Sequence, residues 1–289
     1  MDIKLFCPAK INLFLEVLDK REDSYHELDT VMMSVNLCDT VSLDLRQSSG
    51  TGNNIRLKCP CEGVPEDESN IAWKAALAFF ERFEISGYDL LIDIDKKIPV
   101  AAGLAGGSAD CAGVLLGLEN LFNMQDRHDE LLNLGASLGA DVPFCMTCGC
   151  AHASGIGDIM TKLPAITPEW TFVIAKGGQG VSTREAYAEI DARSAERRSS
   201  NDLIKCLEGA DVAGVCSNLY NAFEGVVEPK REAVGYAKTV MTENGCLGCL
   251  MSGSGPSVFG IFADADGAEN ARDILDKAGY SAHICFPVM

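Results

Sequence analysis

Three glycines near residue 100 lie directly ahead of an apolar helical run, a pattern typical of a phosphate site. Gly103, Gly106 and Gly107 precede the apolar residues 114–122. Glycine lets the backbone approach a ligand closely, and a helix N-terminus presents unpaired N–H groups and a partial positive charge. The pattern therefore predicts an anion site suited to phosphates. Because the loop is neither a dinucleotide-binding GxGxxG nor a Walker A loop, a simple tight connection remains an alternative.

Three further segments carry residues that fit phosphoryl transfer. They are residues 8–12 (Pro-Ala-Lys-Ile-Asn), 138–144 (Leu-Gly-Ala-Asp-Val-Pro-Phe) and 252–257 (Ser-Gly-Ser-Gly-Pro-Ser). A lysine beside a carboxylate lowers the pKa of that carboxylate, which keeps it ionised as a general base. From the residues alone, Lys10 and Asp141 could equally be a surface ion pair and a helix cap. The 252–257 segment fits a β-hairpin turn equally well.

Hydrophobic periodicity indicates the elements that must position these residues. Apolar and β-branched spacing predicts strands at residues 5–17, 30–45, 88–95 and 170–175. Helical spacing predicts helices at residues 71–83 (capped by Asn70), 109–122, 129–138 (capped by Asp126) and 227–242. Strands and helices in this mixed order predict an α+β chain of two domains, residues 1–160 and 161–289.

Composition restricts the class of protein. The chain has 289 residues, of which 47% are hydrophobic, and a formal net charge of −18. This content is enough for a packed core and argues against disorder. The strong negative charge disfavours binding to nucleic acid or an anionic membrane, so a phosphate site must be local. Since neither a signal peptide nor a spanning segment is evident, we expect a cytoplasmic protein.

The sequence contains 13 cysteines, and two pairs have CxxC spacing: Cys145 with Cys148, and Cys246 with Cys249. Such spacing is compatible with a zinc site or a redox pair. The two pairs are far apart in sequence and their neighbours are apolar, so we favour free thiols that act as small core residues. No metal site formed by the protein is predicted.

Three segments together identify a family resemblance. Residues 8–13, 102–109 and 252–256 resemble, in order and spacing, the three motifs of the GHMP kinase family, and the resemblance extends over nearly the whole chain. Tyr25-His26, residues 138–143 and residues 180–183 resemble the family members that act on a cytidine-diphosphate-linked methylerythritol. The resemblance implies an N-terminal domain like ribosomal protein S5 domain 2 and a ferredoxin-like C-terminal domain.

The resemblance also implies a reaction and the residues that carry it. The enzyme would use ATP and Mg²⁺ to phosphorylate the 2-hydroxyl of that polyol, in isoprenoid precursor biosynthesis. Asp141 would be the general base and Lys10 would keep it ionised. The nucleotide-binding residues would be Val100, Ala101, Ala102, Gly103, Leu104, Ala105, Gly106, Gly107, Ser108, Lys96 and Asn70. The substrate-binding residues would be Asn12, Tyr25, His26, Thr183 and Tyr187.

Aromatic residues would recognise the cytosine base. By the resemblance, Tyr25 and Tyr187 would stack on its two faces, and His26 would hydrogen-bond to its edge. Without the resemblance, Tyr25 and His26 fit an ordinary polar turn, and Tyr187 fits the buried face of a helix.

Some positions depart from the family pattern, and rival functions stay open. Ala109 replaces a common serine, Ala105 replaces a glycine, and residues 176–179 lack a proline often found there. The rivals are another GHMP kinase, of the homoserine or mevalonate type, and a non-catalytic nucleotide-binding relative. We expect a monomer or weak homodimer that binds a small molecule.

Overall fold

The computed structural model describes residues 1–22, 25–164, 170–192 and 197–288. The strands are β1 Asp2–Lys20, β2 His26–Gln47, β3 Asn54–Lys58, β4 Tyr88–Asp95, β5 Cys150–Ser154, β6 Ile159–Lys162, β7 Thr171–Lys176, β8 Tyr220–Asn221, β9 Gly248–Met251, β10 Val258–Phe262 and β11 Ser281–Cys285. The helices are α1 Ile71–Arg82, α2 Gly106–Leu121, α3 His128–Leu138, α4 Val142–Thr147, α5 Thr183–Asp191, α6 Asn201–Glu208, α7 Val212–Ser217, α8 Glu224–Val227, α9 Glu232–Glu243 and α10 Ala265–Lys277. These elements confirm the predicted α+β class.

Several predicted boundaries are corrected by the structure. Helix α2 starts at Gly106 rather than at residue 109, so two of the glycines belong to its first turn. Asp126 is not a cap, because a short 3-10 turn covers it and Arg127 precedes α3 without a side-chain cap. The helix predicted at 227–242 is interrupted at Pro229, which lies in a second 3-10 turn ahead of α9. Proline lacks an N–H donor and favours such a break.

The chain divides into two compact units that do not follow sequence order. The first unit contains residues 1–9, 37–100 and 105–147, and the second contains residues 10–36, 101–104 and 148–289. Strands β1 and β2 contribute residues to both units. The boundary between two domains at residue 160 stays a prediction.

The first unit places helices against a mixed sheet. Its strand order is β3-β4-β2-β1, with β4 antiparallel to β2 and parallel to β3. Helix α2 packs closely on this sheet because it has glycines where it meets the strands. A Cβ at Gly117 would lie 2.5 Å from Leu43 Cδ1, and one at Gly113 would lie 2.3 Å from Cys7 Sγ. On α1, the buried Phe79 packs against Phe83 and Phe122, so this helix contributes aromatic side chains to the core of the first unit.

The second unit is built around an antiparallel sheet of order β11-β7-β10-β9. Val173, Met241, Phe262 and Leu275 belong to its apolar core, which joins the sheet to α9 and α10. In the same unit, β1 pairs in parallel with β8, β2 pairs with β5, and β5 pairs with β6. Among the helices described, none has the length and apolar character that crossing a membrane requires.

Candidate active site

The second unit brings three sequence motifs into direct contact. Lys10 and Asn12 lie on β1, residues 101–104 form a loop, and Ser252 begins the turn between β9 and β10. The Lys10 amide donates to the Leu104 carbonyl at 3.1 Å. The Ser252 hydroxyl donates to the Gly103 carbonyl at 3.0 Å and accepts from the Asn12 amide at 3.3 Å. Segments about 90 and 240 residues apart therefore meet at one hydroxyl group.

Two glycines make this contact possible. Gly103 has φ +75° and Gly253 has φ +54°, a backbone region that favours glycine. A Cβ at Gly103 would lie 2.2 Å from the Ser252 carbonyl oxygen, and one at Gly253 would lie 2.8 Å from the Gly103 carbonyl oxygen. Both positions therefore require glycine for backbone packing, in addition to any approach of a phosphate.

Asn12 connects the lysine to the Ser252 turn. Its Oδ1 accepts from Lys10 Nζ at 2.8 Å and from the Gly253 amide at 3.1 Å, and its Nδ2 donates to Thr30 Oγ1 at 2.9 Å. Asn12, Lys10 and Thr30 are all buried. The carboxamide thus fixes the position of the ammonium group, because its own two ends are fixed by the surrounding protein.

The residues predicted to recognise the base also lie in the second unit. The His26 ring stacks on the Tyr187 ring, with centroids 4.7 Å apart, and Phe223 meets Tyr187 edge-on. His26 Nε2 lies 2.6 Å from Asp191 Oδ1. Hydrogen bonds from Lys20 and His26 lower the pKa of Asp191. Tyr25 is 60% exposed. His26 and Tyr187 are therefore brought together, and Asp191 orients the histidine.

Thr183 begins α5 and contacts the Ser252 turn. Ser182 caps the helix by accepting from the Glu185 amide at 3.4 Å. Thr183 Oγ1 lies 2.9 Å from Ser254 Oγ. Tyr187 follows one helical turn later, so α5 links the predicted base-binding residue to the glycine turn.

In the first unit, two helix starts carry part of the predicted nucleotide-binding set, while residues 101–104 of that set belong to the second unit. Asn70 caps α1, because its Oδ1 accepts from the Ala72 amide at 2.9 Å while its Nδ2 donates to the Pro65 carbonyl at 2.8 Å. The residue before α2 is Ala105, with φ +56° and no side-chain cap. Because alanine has no polar side-chain atom, Ala105 does not cap the first-turn amides of Gly106, Gly107 and Ser108. First-turn amides without a side-chain cap suit an anion.

Beneath the start of α2, the Lys96 ammonium is buried between two aspartates. Lys96 Nζ donates to Asp39 and, at 2.7 Å, to Asp110 Oδ2. A Cβ at Gly106 would lie 3.1 Å from this nitrogen. Burial opposes the charged ammonium, but the two carboxylates outweigh it and raise the pKa of Lys96. Lys96 therefore lies close to the first turn of α2, and the two carboxylates hold its ammonium group in place.

Asp141 lies next to these helix starts within the first unit. It directly precedes α4, and its carbonyl accepts from the Cys145 amide at 3.0 Å. Two residues earlier, a Cβ at Gly139 would lie 3.4 Å from Ile71 Cδ1 and 3.9 Å from Ser108 Oγ. The Asp141 loop thus adjoins the first turns of both α1 and α2. Lys10 belongs to the other unit, so its pairing with Asp141 stays a prediction.

The sequence reasoning missed four site residues: Asp39, Asp110, Asp191 and Asn221. Asn221 Nδ2 donates to the carbonyls of Met251, at 2.6 Å, and Gly253, at 2.8 Å. Asp110 carried a usable signal, since a lone carboxylate within the apolar run Ala109–Leu116 needs a buried partner. The others have no local signal, because their partners are distant in sequence.

Comparison with family models gives two matches. The model of the GHMP kinases N terminal domain matches residues 70–149, and the model of the GHMP kinases C terminal domain matches residues 201–281. Together the two matches cover more than half of the chain and include the start of α2, Asp141 and the Ser252 turn.

Full-length relatives agree with the family models. The chain is 38% identical over 283 residues to the 4-diphosphocytidyl-2-C-methyl-D-erythritol kinase of Alkaliphilus metalliredigens, covering 98% of this chain and 95% of the relative. It is 42% identical over 262 residues to the protein of the same name from Exiguobacterium sibiricum, covering 90% of this chain and 89% of that relative.

Solved structures share the fold. A crystal structure of 4-(cytidine 5'-diphospho)-2C-methyl-D-erythritol kinase matches with a TM-score of 0.79 and 29% identity, covering 99% of this chain and all of that one. Homoserine kinase from Cytophaga hutchinsonii matches with a TM-score of 0.78 and 20% identity, covering all of this chain and 95% of that one. The second likeness concerns the fold alone.

Proposed function

The chain belongs to the GHMP kinase family, and from that premise we propose that it transfers the γ-phosphoryl group of ATP to the 2-hydroxyl of 4-diphosphocytidyl-2-C-methyl-D-erythritol. Relatives that are about 40% identical to this chain, in matches that cover nearly their whole length, carry the name of that kinase. The observation that carries the site assignment is the meeting of Lys10, Gly103 and Ser252 in the second unit. This reaction supplies an intermediate of isoprenoid precursor biosynthesis.

ATP is assigned to the loop of residues 100–108. The first-turn amides of α2 and the positive end of the helix would hold the phosphate oxygens. Ser108 supplies a hydroxyl there, since the next residue is Ala109. Asn70 and Lys96 are assigned to the adenosine side, where they fix the starts of α1 and α2. Mg²⁺ would be held largely by phosphate oxygens and water.

Asp141 and Lys10 are assigned to the transfer step. Asp141 accepts the proton that the substrate 2-hydroxyl loses as its oxygen attacks the γ-phosphorus. Lys10 stabilises the negative charge that develops on that oxygen, and Asn12 holds its ammonium in place. In phosphoryl transfer, positioning and charge stabilisation supply most of the rate enhancement. This weighting fits a lysine that is buried and oriented before substrate arrives.

The cytidine end of the substrate is assigned to Tyr25, His26 and Tyr187. The exposed ring of Tyr25 offers a stacking face. Because His26 uses Nε2 toward Asp191, its Nδ1 is the nitrogen proposed to address the base edge. Thr183 is assigned to the diphosphate and polyol, whereas Asn12, predicted to bind there too, is buried with its carboxamide bonded to Lys10, Gly253 and Thr30 and is assigned to positioning Lys10. The net charge of −18 supports a small-molecule partner rather than nucleic acid, and we propose a cytoplasmic monomer or weak homodimer.

A panel of alcohols with an ADP-release readout tests the function. We expect turnover with 4-diphosphocytidyl-2-C-methyl-D-erythritol and none with homoserine or mevalonate. The variant Asp141→Asn tests the general base in the same assay. We expect its turnover to fall by a factor on the order of 10²–10⁴ while ATP still binds. Preferred turnover of homoserine or mevalonate would replace the substrate assignment. An unchanged rate in the variant would remove Asp141 from its role, and ATP binding without turnover of any alcohol would indicate a non-catalytic relative.

A further inference from the structure

Thr30 carries a buried hydroxyl to which the proposed phosphoryl transfer assigns no role. It lies on β2 opposite Ala153 of β5, and only 2% of its surface is exposed. Its Oγ1 donates to the Phe14 carbonyl of β1 at 2.7 Å and accepts from Asn12 Nδ2 at 2.9 Å. The hydroxyl therefore joins a backbone carbonyl and a side chain of the neighbouring strand β1.

The Phe14 carbonyl fixes the direction of the Thr30 hydroxyl. A hydroxyl group has one proton to donate, and a carbonyl oxygen can only accept. The Thr30 proton therefore points at Phe14, which leaves the lone pairs of Oγ1 for Asn12. Phe14 is itself held, because it is paired with Tyr220 of β8. The backbone of the sheet thus makes Thr30 an acceptor toward Asn12.

This direction decides which end of the Asn12 carboxamide faces the lysine. Since Thr30 offers an acceptor, the NH₂ group of Asn12 turns toward it and Oδ1 turns away from it. Oδ1 then accepts from Lys10 Nζ at 2.8 Å and from the Gly253 amide at 3.1 Å. The reversed carboxamide would set donor against donor on one side and acceptor against acceptor on the other. Among buried groups such mismatches are costly.

We propose that Thr30 is a positioning residue for the phosphoryl transfer, because its hydroxyl orients the Asn12 carboxamide and thereby the Lys10 ammonium. The inference rests on the proposed function, in which Lys10 stabilises the charge that develops on the attacking oxygen. The Phe14 carbonyl, the Thr30 hydroxyl, the Asn12 carboxamide and the Lys10 ammonium form a chain of hydrogen bonds of 2.7, 2.9 and 2.8 Å. All four residues are buried. A fully bonded, buried chain of this kind holds its groups in one arrangement.

Two substitutions separate the Thr30 hydroxyl from the shape of its side chain. Thr30→Val keeps the branched shape and removes the hydroxyl, whereas Thr30→Ser keeps the hydroxyl and removes a methyl group. With 4-diphosphocytidyl-2-C-methyl-D-erythritol and an ADP-release readout, we expect Thr30→Val to lower kcat by about 10- to 100-fold. The KM values should change little, because Lys10 acts on charge that appears only in the transition state. Thr30→Ser should restore most of the lost kcat.

Amine labelling reports on Lys10 without any turnover. The protein is treated with formaldehyde and cyanoborohydride in the absence of nucleotide and alcohol, and methylation of each lysine is followed by peptide mass spectrometry. We expect Lys10 to be methylated several-fold faster in Thr30→Val than in wild type or Thr30→Ser. Lys238 is the internal control, because it lies in the same unit and is held by Glu224 and Glu228. Its rate should not change.

The two readouts separate failure of this inference from failure of the kinase assignment. Equal kcat in Thr30→Val and wild type, or equal Lys10 methylation in both, would overturn the role of Thr30. So would a loss of kcat that Thr30→Ser shares, or a rise in Lys238 methylation that matches Lys10, because either result indicates general loosening. If wild type turned over no alcohol, the proposed function would fall, and the methylation contrast would still decide whether Thr30 orients Lys10.

NMR of the wild-type protein checks the carboxamide orientation even if Thr30→Val does not fold. We expect nuclear Overhauser contacts from the Asn12 side-chain amide protons to the Thr30 methyl group. Contacts from these amide protons to the Lys10 Cε protons in their place would show the reversed carboxamide and overturn the proposal.

Discussion

Lys96 holds two buried aspartates that depend on it to different degrees. Asp39 Oδ1 also accepts from the amides of Lys97, at 2.6 Å, and Ile98, at 2.8 Å. Within the described part of the chain, Asp110 Oδ2 accepts from Lys96, and Asp110 Oδ1 is buried without a hydrogen-bond partner. The first carboxylate therefore organises the backbone that leads into the phosphate loop, and the second chiefly balances charge.

Amide substitutions should separate these two roles. In Asp39→Asn the new NH₂ group faces either two amide donors or the ammonium, so we expect a loss of about 3–5 kcal/mol in the free energy of unfolding. In Asp110→Asn the oxygen can still accept from Lys96 and the NH₂ replaces an atom that already lacks a partner. We expect a change of about 1 kcal/mol. Urea unfolding of both variants measures the difference, and equal losses would contradict it.

The Asp110→Asn variant also gives a pH dependence with a defined sign. Burial raises the pKa of Asp110 from 3.8 to about 7. The folded chain thus binds this proton more tightly than the unfolded chain. The stabilisation is complete below about pH 4 and is lost as the pH rises through about 7. Because Asp110→Asn lacks this titration, its stability relative to wild type should increase over that range. A difference that stays constant or reverses would contradict the pKa of Asp110.

Residue roles were predictable from the sequence where the signal is local. Asn70 was predicted as the cap of α1, and the structure confirms the cap. His26 stacks on Tyr187, which is about 160 residues away in the sequence, and its hydrogen-bond partner Asp191 has a similar sequence separation. No spacing in the sequence encodes such pairs, because they depend on how the whole second unit folds.

At the scale of elements, α2 shows how glycine sets the distance between a helix and a sheet. Its predicted start at residue 109 was wrong because Gly106 and Gly107 have poor intrinsic helix propensity. Packing against the sheet outweighs that propensity, and Ala105 enters the helix from a left-handed conformation. The sequence therefore indicated that a helix follows the loop, while its first turn depended on contacts with other elements.

Two glycines inside helices should respond to alanine with opposite signs. At Gly113 of α2, an added Cβ would lie 2.3 Å from Cys7 Sγ and 3.1 Å from Val41 Cγ2, so overpacking should cost about 1–3 kcal/mol. At Gly235 of α9, the nearest atom is Glu228 Oε1 at 3.6 Å. Gly235→Ala should therefore raise the free energy of unfolding by up to about 1 kcal/mol, because alanine has the better helix propensity. Thermal or urea unfolding checks both signs, and a loss in both variants would show that Gly235 is also tightly packed.

At the scale of the molecule, the second unit depends on its C-terminal strand. Strand β11 pairs along β7. The Asn36 amide donates to the Phe286 carbonyl at 2.9 Å, while Asn36 Oδ1 accepts from the Phe286 amide at 2.8 Å. The last described residues therefore close the sheet and also hold the early part of the chain.

Removal of residues 281–289 should destabilise the second unit selectively. The edge of β7 would lose its partner, and an unpaired apolar edge promotes association between chains. We expect aggregation in size-exclusion chromatography and rapid proteolysis within residues 148–280, compared with the full chain. Cleavage should be slower within residues 37–147, where the first unit keeps its own contacts. A monomeric, protease-resistant shortened chain would contradict this dependence.

The division of β1 and β2 between the units has a consequence for how the protein is made on the ribosome. The first unit has all its segments once Thr147 has emerged, whereas residues 10–36 must wait for partners that extend to Val288. At ordinary rates of translation this interval is on the order of ten seconds. During it, β1 and β2 can pair with each other, but their apolar residues still lack the later partners Tyr220, Asn221 and Val288. The Ser252 turn, which joins Asn12 to Gly103, can form only after residue 252 has emerged, so these contacts are made later than those within the first unit.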